Sequence, residues 1–432
     1  MDQHQQGQRS GTTAAYVIVT CLFFAWGFIT SLIDPLVAAV KGIFSLTDVQ
    51  AQLSASAFFI AYGVMSFPAA VLLSRRKAVP TVLIALGLMI AGCLIMLWAA
   101  NIAQYSLVLL GLFVLASGIT ILQVAANPLA AALGRPEGSH FRLTFAQAFN
   151  SFGTFIGPFL GSVLFLKGVE VKEGTVVTEA VRNESLAGID QAFFWIAGLI
   201  ALIAILIWAG RKTITAAAPT PPAEIAQRGI GATFRDSISS KWALLGGAAI
   251  FLYVGAEVAI GTQMALFLND DDVWGVPLQD AGKLVSLYWG GAMVGRLVGS
   301  ALLTRVKAPL LLAVFTGMAA LMCLYVFAVG GVSSGYVALA IGLFNSIMFP
   351  VIFTITLERS TASEEATSGF LCFSIVGGAA IPPLVGLVSG ATSYMTAFIV
   401  PAICYGLLLA FALASRGANV KLRDEPSAAA IH

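Results

Sequence analysis

The chain has 432 residues, of which 59% are hydrophobic and only 10% are charged, and its mean hydropathy is +0.92. This composition excludes a soluble globular protein, because polar residues are too few to cover an apolar core. A net charge of +2 gives no reason to expect a nucleic-acid partner. The three histidines, at positions 4, 140 and 432, are too scattered to form a metal cluster, and we expect neither a metal nor a cofactor.

Twelve apolar segments are long enough to cross a bilayer as helices, which takes about 20 residues. They form two groups of six. The predicted fold is therefore an all-α, multi-pass membrane protein made of two six-helix bundles. The predicted spans are 14–40, 50–73, 80–99, 104–133, 142–166, 191–210, 242–268, 280–304, 308–329, 334–359, 366–390 and 393–415.

The longest polar connection covers residues 211–241 and contains the run TAAAPTPPAE, which is typical of an exposed linker. It separates an N-terminal bundle, 1–210, from a C-terminal bundle, 242–432. Most of the 23 lysines and arginines fall on the face that holds the N-terminus and this linker. The positive-inside rule then predicts that both termini are cytoplasmic.

Two short sequences occupy the same place in the two halves. VLLSRRKA (71–78) and ALLTRVKA (301–308) both follow the second span of their half and precede the third. Their shared pattern predicts a duplicated six-span unit, which is how one large class of transporters is built.

Three charged residues interrupt the apolar spans. Asp34 lies in the first span, next to Pro35, and an acid at the centre of a span costs roughly 2.5 to 3.5 kcal/mol. Such a carboxyl group is a candidate proton carrier, and permanent pairing with a neighbouring helix is the alternative. Glu257, near the middle of span 7, is a candidate for binding substrate or cation, or for an ion pair with Arg296.

Amide side chains recur on the spans of both halves. An amide both donates and accepts hydrogen bonds, so it suits the hydroxyl groups of a neutral polyol, although buried amides also join helices to one another. Trp26 and Trp289 are candidates for the flat apolar surface that a sugar ring needs, with helix packing as the alternative. The amide candidates are Gln123, Asn127, Gln147, Asn150, Gln263 and Asn345.

Four motifs carry a family resemblance. Residues 118–158 (GITILQVAANPLAAALGRPEGSHFRLTFAQAFNSFGTFIGP), with YVGAEVAIG (253–261), WGGAMVGRLVGS (289–300) and GLFNSIMFP (342–350), resemble the fucose/galactose/glucose proton symporter family of the major facilitator superfamily. The second-half motifs are more similar to the glucose/galactose branch. The resemblance implies a twelve-helix transporter of the bacterial inner membrane that imports a monosaccharide with a cation by alternating access.

The resemblance also implies roles for individual residues. It assigns proton coupling to an acid at the position of Asp34, and it assigns part of the sugar site to the helix that carries Glu257. Part of the family has a glutamate where this chain has Gln123. Coupling through two acids is therefore in question, and sodium remains an alternative to the proton because carboxylate, amide and backbone oxygens can ligate a hard cation.

Glycines at every fourth position mark spans 5 and 8, and small residues at this spacing let helix backbones approach closely. In the family architecture these two spans meet between the halves, so the glycines are expected on the surface along which the bundles move. Arg142 and Arg296 are candidate gating residues. The glycine ladders are Gly153, Gly157 and Gly161, and Gly291, Gly295 and Gly299.

The leading hypothesis is a monomeric symporter for a glucose- or galactose-like sugar, most simply coupled to protons. A sodium-coupled symporter and a permease for fucose or an N-acetylhexosamine are alternatives within the same fold. A solute exporter and a polytopic receptor are the other classes. An enzyme is not expected, because the spans hold no Ser/His or His/Asp set and no metal-ligand pair.

Overall fold

Apolar runs become long helices throughout the computed structural model, which describes residues 3–32, 36, 44, 48–165, 179–218 and 228–418. Asp34 lies outside these residues. Within the described residues every regular element is helical. The long helices of the first half are α1 (Gln3–Ser31), α2 (Asp48–Arg76), α3 (Ala78–Ile102), α4 (Tyr105–Ala132), α5 (Ser139–Phe165) and α6 (Glu179–Ala209).

Two short helices follow, α7 (Arg211–Ala217) and α8 (Ile230–Ser239), and both lie inside the predicted linker. The second half then supplies six further membrane-length segments, some of them broken. They are α9 (Lys241–Asn269), α10 (Leu278–Leu302), α11 (Ala308–Val329), α12 and α13 (Gly331–Asn345 and Met348–Arg359), α14 and α15 (Glu364–Phe373 and Gly377–Ala391), and α16 and α17 (Tyr394–Ala397 and Ile399–Arg416).

Ten of the described segments are long and apolar enough to span a membrane. The helices α5 and α10 are not among those ten, although their 27 and 25 residues are enough to cross. Both carry polar side chains and closely spaced glycines. The predicted set of twelve helical segments, six in each half, is thus present in the described residues.

Three spans of the second half are interrupted where the sequence predicted continuous helices. One of them, the predicted span 393–415, divides between Ala397 and Ile399. The predicted span 334–359 divides between Asn345 and Met348, close to Pro350. The predicted span 366–390 passes through a 3₁₀ turn, Ser374–Val376, before α15. Proline has no backbone N–H and its ring crowds the preceding turn, so helices break or bend near it.

Gly153 and Gly157 of the first ladder, with Gly291 and Gly295 of the second, pack helices together inside each half. The surroundings of Gly161 lie outside what the structure describes. A Cβ at Gly153 would lie 2.5 Å from the Phe24 carbonyl oxygen of α1, and one at Gly157 would overlap Ser31 Oγ of the same helix. The interpretation that these glycines face the other half is therefore corrected. They allow α1 and α5 to touch within the first half.

The second ladder behaves in the same way. A Cβ at Gly291 would lie 3.2 Å from the Leu343 backbone nitrogen, and one at Gly295 would overlap the Leu343 carbonyl oxygen of α12. The helices α5 and α10 do meet between the halves, but through other residues. A Cβ at Gly290, for example, would lie 3.9 Å from the ring of Phe155.

The two halves also meet along α2 and α14. The rings of Phe67 and Phe373 are 5.7 Å apart between their centroids, and a Cβ at Gly369 would lie 2.8 Å from Ala70 Cβ. We call the end of the bundle where α2, α4 and α13 terminate, and where α8 lies, the linker end. The central cavity lies between the halves, among α1, α2, α4, α5, α9, α10 and α13.

Candidate functional site

A cavity of about 150 Å³ lies between the two halves and receives side chains from both. Its walls combine amides, hydroxyl groups, one carboxylate, one guanidinium and several apolar rings. The first half contributes Trp26, Gly27, Thr30, Tyr62, Gln123, Gln147, Asn150 and Thr154.

Three amides of the first-half wall are each oriented by a hydrogen bond. Gln123 Nε2 donates to Tyr62 Oη at 2.5 Å. Asn150 Nδ2 donates to the Phe23 carbonyl at 3.2 Å, which ties α5 to α1. Because these bonds engage the amide nitrogens, the amide oxygens carry the acceptor capacity at the cavity.

Gln147 is oriented by Asn127, one of the two amides predicted on α4. Gln147 Nε2 donates to Asn127 Oδ1 at 3.2 Å. Asn127 is fully buried and does not line the cavity. Its amide therefore joins α4 to α5, as the alternative interpretation of the buried amides proposed.

The second half contributes one ion pair to the wall, together with Tyr253, Val254, Phe349 and Ile375. Arg296 Nη2 lies 3.9 Å from Glu257 Oε1, and each side chain is about nine-tenths buried. This separation exceeds hydrogen-bonding distance, so the two charges attract each other without a direct hydrogen bond. The carboxylate oxygens and the guanidinium N–H groups can therefore still hydrogen-bond a third group between them. Tyr253, one turn before Glu257, faces the same pair.

Arg296 also connects the two halves. Its Nη1 donates to the Gln147 carbonyl at 3.3 Å and to Ser151 Oγ, both on α5. Its Nε donates to the Ser346 carbonyl at 2.8 Å, within its own half. One guanidinium thus holds an acid and two backbone carbonyls, with donors in the planar arrangement that arginine alone provides.

The Ser346 carbonyl is available because of a proline. In an α-helix it would accept a hydrogen bond from the backbone N–H four residues later, but that residue is Pro350. The break between α12 and α13 exposes the carbonyl beside the cavity, and Arg296 binds it.

Aromatic and aliphatic side chains form the apolar part of the wall. Trp26 is 3% exposed, and its ring lies 4.2 Å from that of Phe23 between centroids. Phe349 and Ile375 supply apolar surface from the other half.

Three residues predicted for substrate binding are absent from the described cavity wall. Gln263 Nε2 donates to Ser389 Oγ at 3.3 Å, and Asn345 Nδ2 donates to Tyr288 Oη. Trp289 fills the space beside Gly261, where a Cβ would lie 2.8 Å from the indole.

Asn345 still acts on the site indirectly. The Tyr288 hydroxyl, to which it donates, itself donates to the Glu257 carbonyl at 3.1 Å. This buried chain of hydrogen bonds fixes the backbone of α9 at the residue that carries the carboxylate.

Sequence reasoning missed Thr30 and Tyr62. Thr30 is four residues after Trp26, so helical periodicity places both on one face, and this signal was available. Its buried hydroxyl has no hydrogen-bond partner among the described residues. Tyr62 carries no comparable signal, because its role depends on the approach of α2 to α4.

The comparisons with known proteins agree with this architecture. Residues 16–369 match the profile of the Major Facilitator Superfamily. The chain belongs to the major facilitator superfamily. It is thus a multi-pass membrane transporter rather than an enzyme. Among the described residues, no group of three or more His, Cys, Asp or Glu side chains is arranged to hold a metal ion.

Individual superfamily members are similar over nearly the whole chain. A glucose/galactose transporter of Brucella abortus biovar 1 (strain 9-941) is 38% identical over 400 residues, which are 92% of this chain and 93% of the relative. An L-fucose-proton symporter of Escherichia coli (strain K12) is 30% identical over 426 residues, covering 94% of each chain. The crystal structure of FucP in the outward conformation aligns with a TM-score of 0.82 at 26% identity, covering 94% of this chain and 99% of that one.

The two halves also contact each other at the linker end, through polar side chains. Ser139 Oγ donates to Glu358 Oε1 at 3.0 Å, and His140 Nε2 lies 3.1 Å from the same oxygen. His140 Nδ1 lies 2.5 Å from Thr354 Oγ1, whose own hydroxyl donates to the Pro350 carbonyl. Both ring nitrogens of His140 therefore face oxygens of the second half.

Arg142, predicted as a gating residue, makes its described hydrogen bonds within the first half. Its guanidinium donates to the Arg135 carbonyl at 2.8 Å and to the Ala131 carbonyl. These carbonyls lie at and just beyond the C-terminal end of α4, so Arg142 acts as a cap for that helix end. The neighbouring residues Ser139 and His140 make the contact with the other half.

Proposed function

We propose that this transporter imports a neutral, glucose- or galactose-like monosaccharide by cation symport. The observation that carries the proposal is the cavity between the halves, which combines oriented amides with a tryptophan and one ion pair. A sugar presents hydroxyl groups around an apolar ring. Amides and a charged pair suit the hydroxyls, and the flat surface of Trp26 suits the C–H face of the ring.

The relatives support this substrate class. Proteins named as a glucose/galactose transporter and as an L-fucose-proton symporter cover more than nine-tenths of the chain. The higher identity to the first favours glucose or galactose over fucose.

The transport cycle follows from the closure at the linker end. We assign the described structure to an outward-facing state, because Ser139 and His140 bind Glu358 and Thr354 across the halves at that end. Sugar enters from the opposite end, and release requires these contacts to break. Arg296, which also joins the halves beside the cavity, is proposed to lose its contacts with α5 in the same step.

Asp34 is proposed as the cation-coupling residue. In the cavity wall, the place where part of the family carries a second acid holds Gln123, and Glu257 faces Arg296 at 3.9 Å. A carboxylate that remains paired with a guanidinium is a poor proton carrier, which leaves Asp34 as the group that gains and loses the cation. The proton is the leading cation and sodium is the alternative.

We place the protein in a bacterial inner membrane as a monomer with both termini in the cytoplasm. The exposed basic residues at the linker end support this orientation, among them Arg75, Arg76 and Lys77. Reporter fusions at either terminus test this orientation. A reporter found in the periplasm at either end would contradict the cytoplasmic placement of the termini.

Uptake into sealed vesicles tests the main proposal. Labelled glucose, galactose, fucose and N-acetylglucosamine are offered under an imposed pH gradient, an imposed sodium gradient, or neither. We expect accumulation of glucose or galactose under the pH gradient. Accumulation under the sodium gradient alone would identify sodium, rather than the proton, as the coupling cation. No accumulation of any monosaccharide would overturn the proposal.

A further inference from the structure

The linker helix α8 lies across the seam between the halves, where α2 faces α14. On the first-half side, the Phe234 ring contacts the Phe67 ring edge-on, with 5.1 Å between centroids. Arg75 Nη2 donates to the Arg228 carbonyl at 3.4 Å, just before α8 begins. The helix therefore covers the end of α2.

On the second-half side α8 is held by several polar bonds. Asp236 Oδ2 accepts from the backbone N–H of Ser363 at 3.1 Å and from its hydroxyl at 2.9 Å. The same oxygen pairs with Arg228 Nη1 at 2.7 Å. Ser237 Oγ donates to the Ala366 carbonyl at 2.8 Å. Asp236 is the only acid of α8, and its carboxylate is engaged by Ser363 and Arg228. These bonds determine which face of the helix points away from the protein.

That outward face is apolar. Ile230, Phe234 and Ile238 are 51%, 41% and 40% exposed, and their spacing of four residues places them in one row. An apolar row on a short helix beside the ends of membrane spans is the pattern of a helix lying in the membrane interface.

Basic side chains lie on α8 itself and at the ends of α2 and α9, two helices that α8 contacts. Arg75, Arg76 and Lys77 lie at the end of α2, Arg235 lies on α8, and Lys241 begins α9, and all five are exposed. Phe67, which Phe234 contacts, lies nine residues, or roughly 13 Å, before Arg76 along α2, so Phe234 contacts α2 on the apolar side of its basic end. Apolar surface at the depth of the acyl chains, with cations beside it, complements an anionic lipid in both shape and charge.

We propose that α8 and the adjacent ends of α2 and α9 bind anionic phospholipid. The headgroup phosphates lie among Arg75, Arg76, Lys77, Arg235 and Lys241, and the acyl chains lie against Ile230, Phe234 and Ile238. The site takes cations from the first half, the linker and the second half, so it bridges the seam between them. The inference is independent of which sugar or cation is transported.

Lipid binding to the full chain in nanodiscs tests the site. A fluorescent phosphatidylglycerol is titrated into phosphatidylcholine nanodiscs that hold the wild type or the double variant Arg235→Gln/Lys241→Gln. We expect the variant to lose affinity roughly fivefold for each removed charge. The matched control, Arg305→Gln/Lys307→Gln, removes two exposed basic residues at the same end but away from α8, and it should bind like the wild type.

A second variant, Ile230→Ser/Ile238→Ser, tests the apolar row separately. It should weaken lipid binding without changing its dependence on salt, since all charges remain. Equal affinity of the wild type and both α8 variants would overturn the proposal, as would an equal loss in the control. Competition by soluble glycerol phosphate as effective as that by the lipid would also overturn it, because it would indicate a site for free anions. Size-exclusion profiles establish that each variant is folded.

Discussion

Ser368 Oγ donates a 2.8 Å hydrogen bond to the Val124 carbonyl oxygen, and this bond joins the two halves of the transporter. Val124 lies four residues before Pro128, so the carbonyl lacks the backbone donor that an unbroken helix would supply. Ser346 and Pro350 repeat the arrangement in the second half, where Arg296 supplies the donor. In both halves a proline leaves a buried carbonyl without its backbone hydrogen-bond donor. A side chain from another helix donates to that carbonyl instead.

The first prediction is that Ser368→Ala weakens closure at the linker end. The Val124 carbonyl would stay buried and unpaired, which costs about 1 kcal/mol, or roughly fivefold in the ratio of closed to open states. Spin labels at the exposed residues Glu137 and Thr361, one on each half, report the distance across that end. Ser415→Ala is the control, because among the described residues its hydroxyl donates to the Ala412 carbonyl of its own helix.

Pro128→Ala sharpens this test. It restores a backbone N–H that competes with Ser368 for the Val124 carbonyl, and it removes a proline from a helix interior. We therefore expect a higher melting temperature together with weaker closure, and a smaller effect of Ser368→Ala in this background. An undiminished effect would mean that the serine acts by another route.

The second prediction concerns Glu358, which accepts hydrogen bonds from both Ser139 and His140. Glu358→Gln keeps the size of the side chain but removes its charge, and the contact with His140 is largely shielded from water. We expect the closed state to lose about 1 kcal/mol of stability relative to the open state. The measurement is a longer mean distance between the same spin labels. An unchanged distance would show that the closed state does not depend on this pair.

The third prediction is that lysine cannot replace Arg296. An ammonium group cannot reach Glu257, the Ser346 carbonyl and α5 at once, so Arg296→Lys leaves buried polar groups without partners. We expect a loss of about 2 to 4 kcal/mol in stability and roughly tenfold slower uptake. Thermal unfolding and initial uptake rates measure the two effects, and wild-type values in both would exclude the bridging role.

The fourth prediction is that Gly157→Ala disrupts the packing of α1 against α5. The added methyl group would overlap Ser31 Oγ and lie 2.9 Å from the Phe28 carbonyl oxygen. We expect about 1 to 3 kcal/mol of destabilisation from this overpacking, measured as a lower melting temperature. Gly87→Ala is the control, since no atom of the part of the chain that the structure describes lies within 4 Å of its added methyl group.

The fifth prediction follows from the coupling role proposed for Asp34. Asp34→Asn removes the titrating group and should abolish accumulation of sugar against its gradient. Exchange of sugar for sugar across the membrane should continue, because exchange needs no net movement of the cation. Equal loss of both activities would assign Asp34 to sugar binding or structure instead.

Much of the site was visible in the sequence as residue types, but its membership depended on which helix faces meet. Trp26, Gln123, Gln147, Asn150 and Glu257 were predicted and line the cavity. Gln263, Trp289 and Asn345 have the same chemistry but lie on faces that pack within the second half. A hydrophobic helix has little amphipathic signal to distinguish these faces, because lipid and protein neighbours are both apolar.

The sequence by itself determined that this is a twelve-span membrane protein of two similar halves. Hydropathy and helix length decide this, since unpaired backbone groups cannot remain in lipid. Only the tertiary structure decided that the glycine ladders join helices within each half, that Arg296 lies beside Glu257, and that His140 closes the linker end. These contacts join residues more than 30 positions apart, and helix rotation and depth, which local sequence does not encode, bring them together.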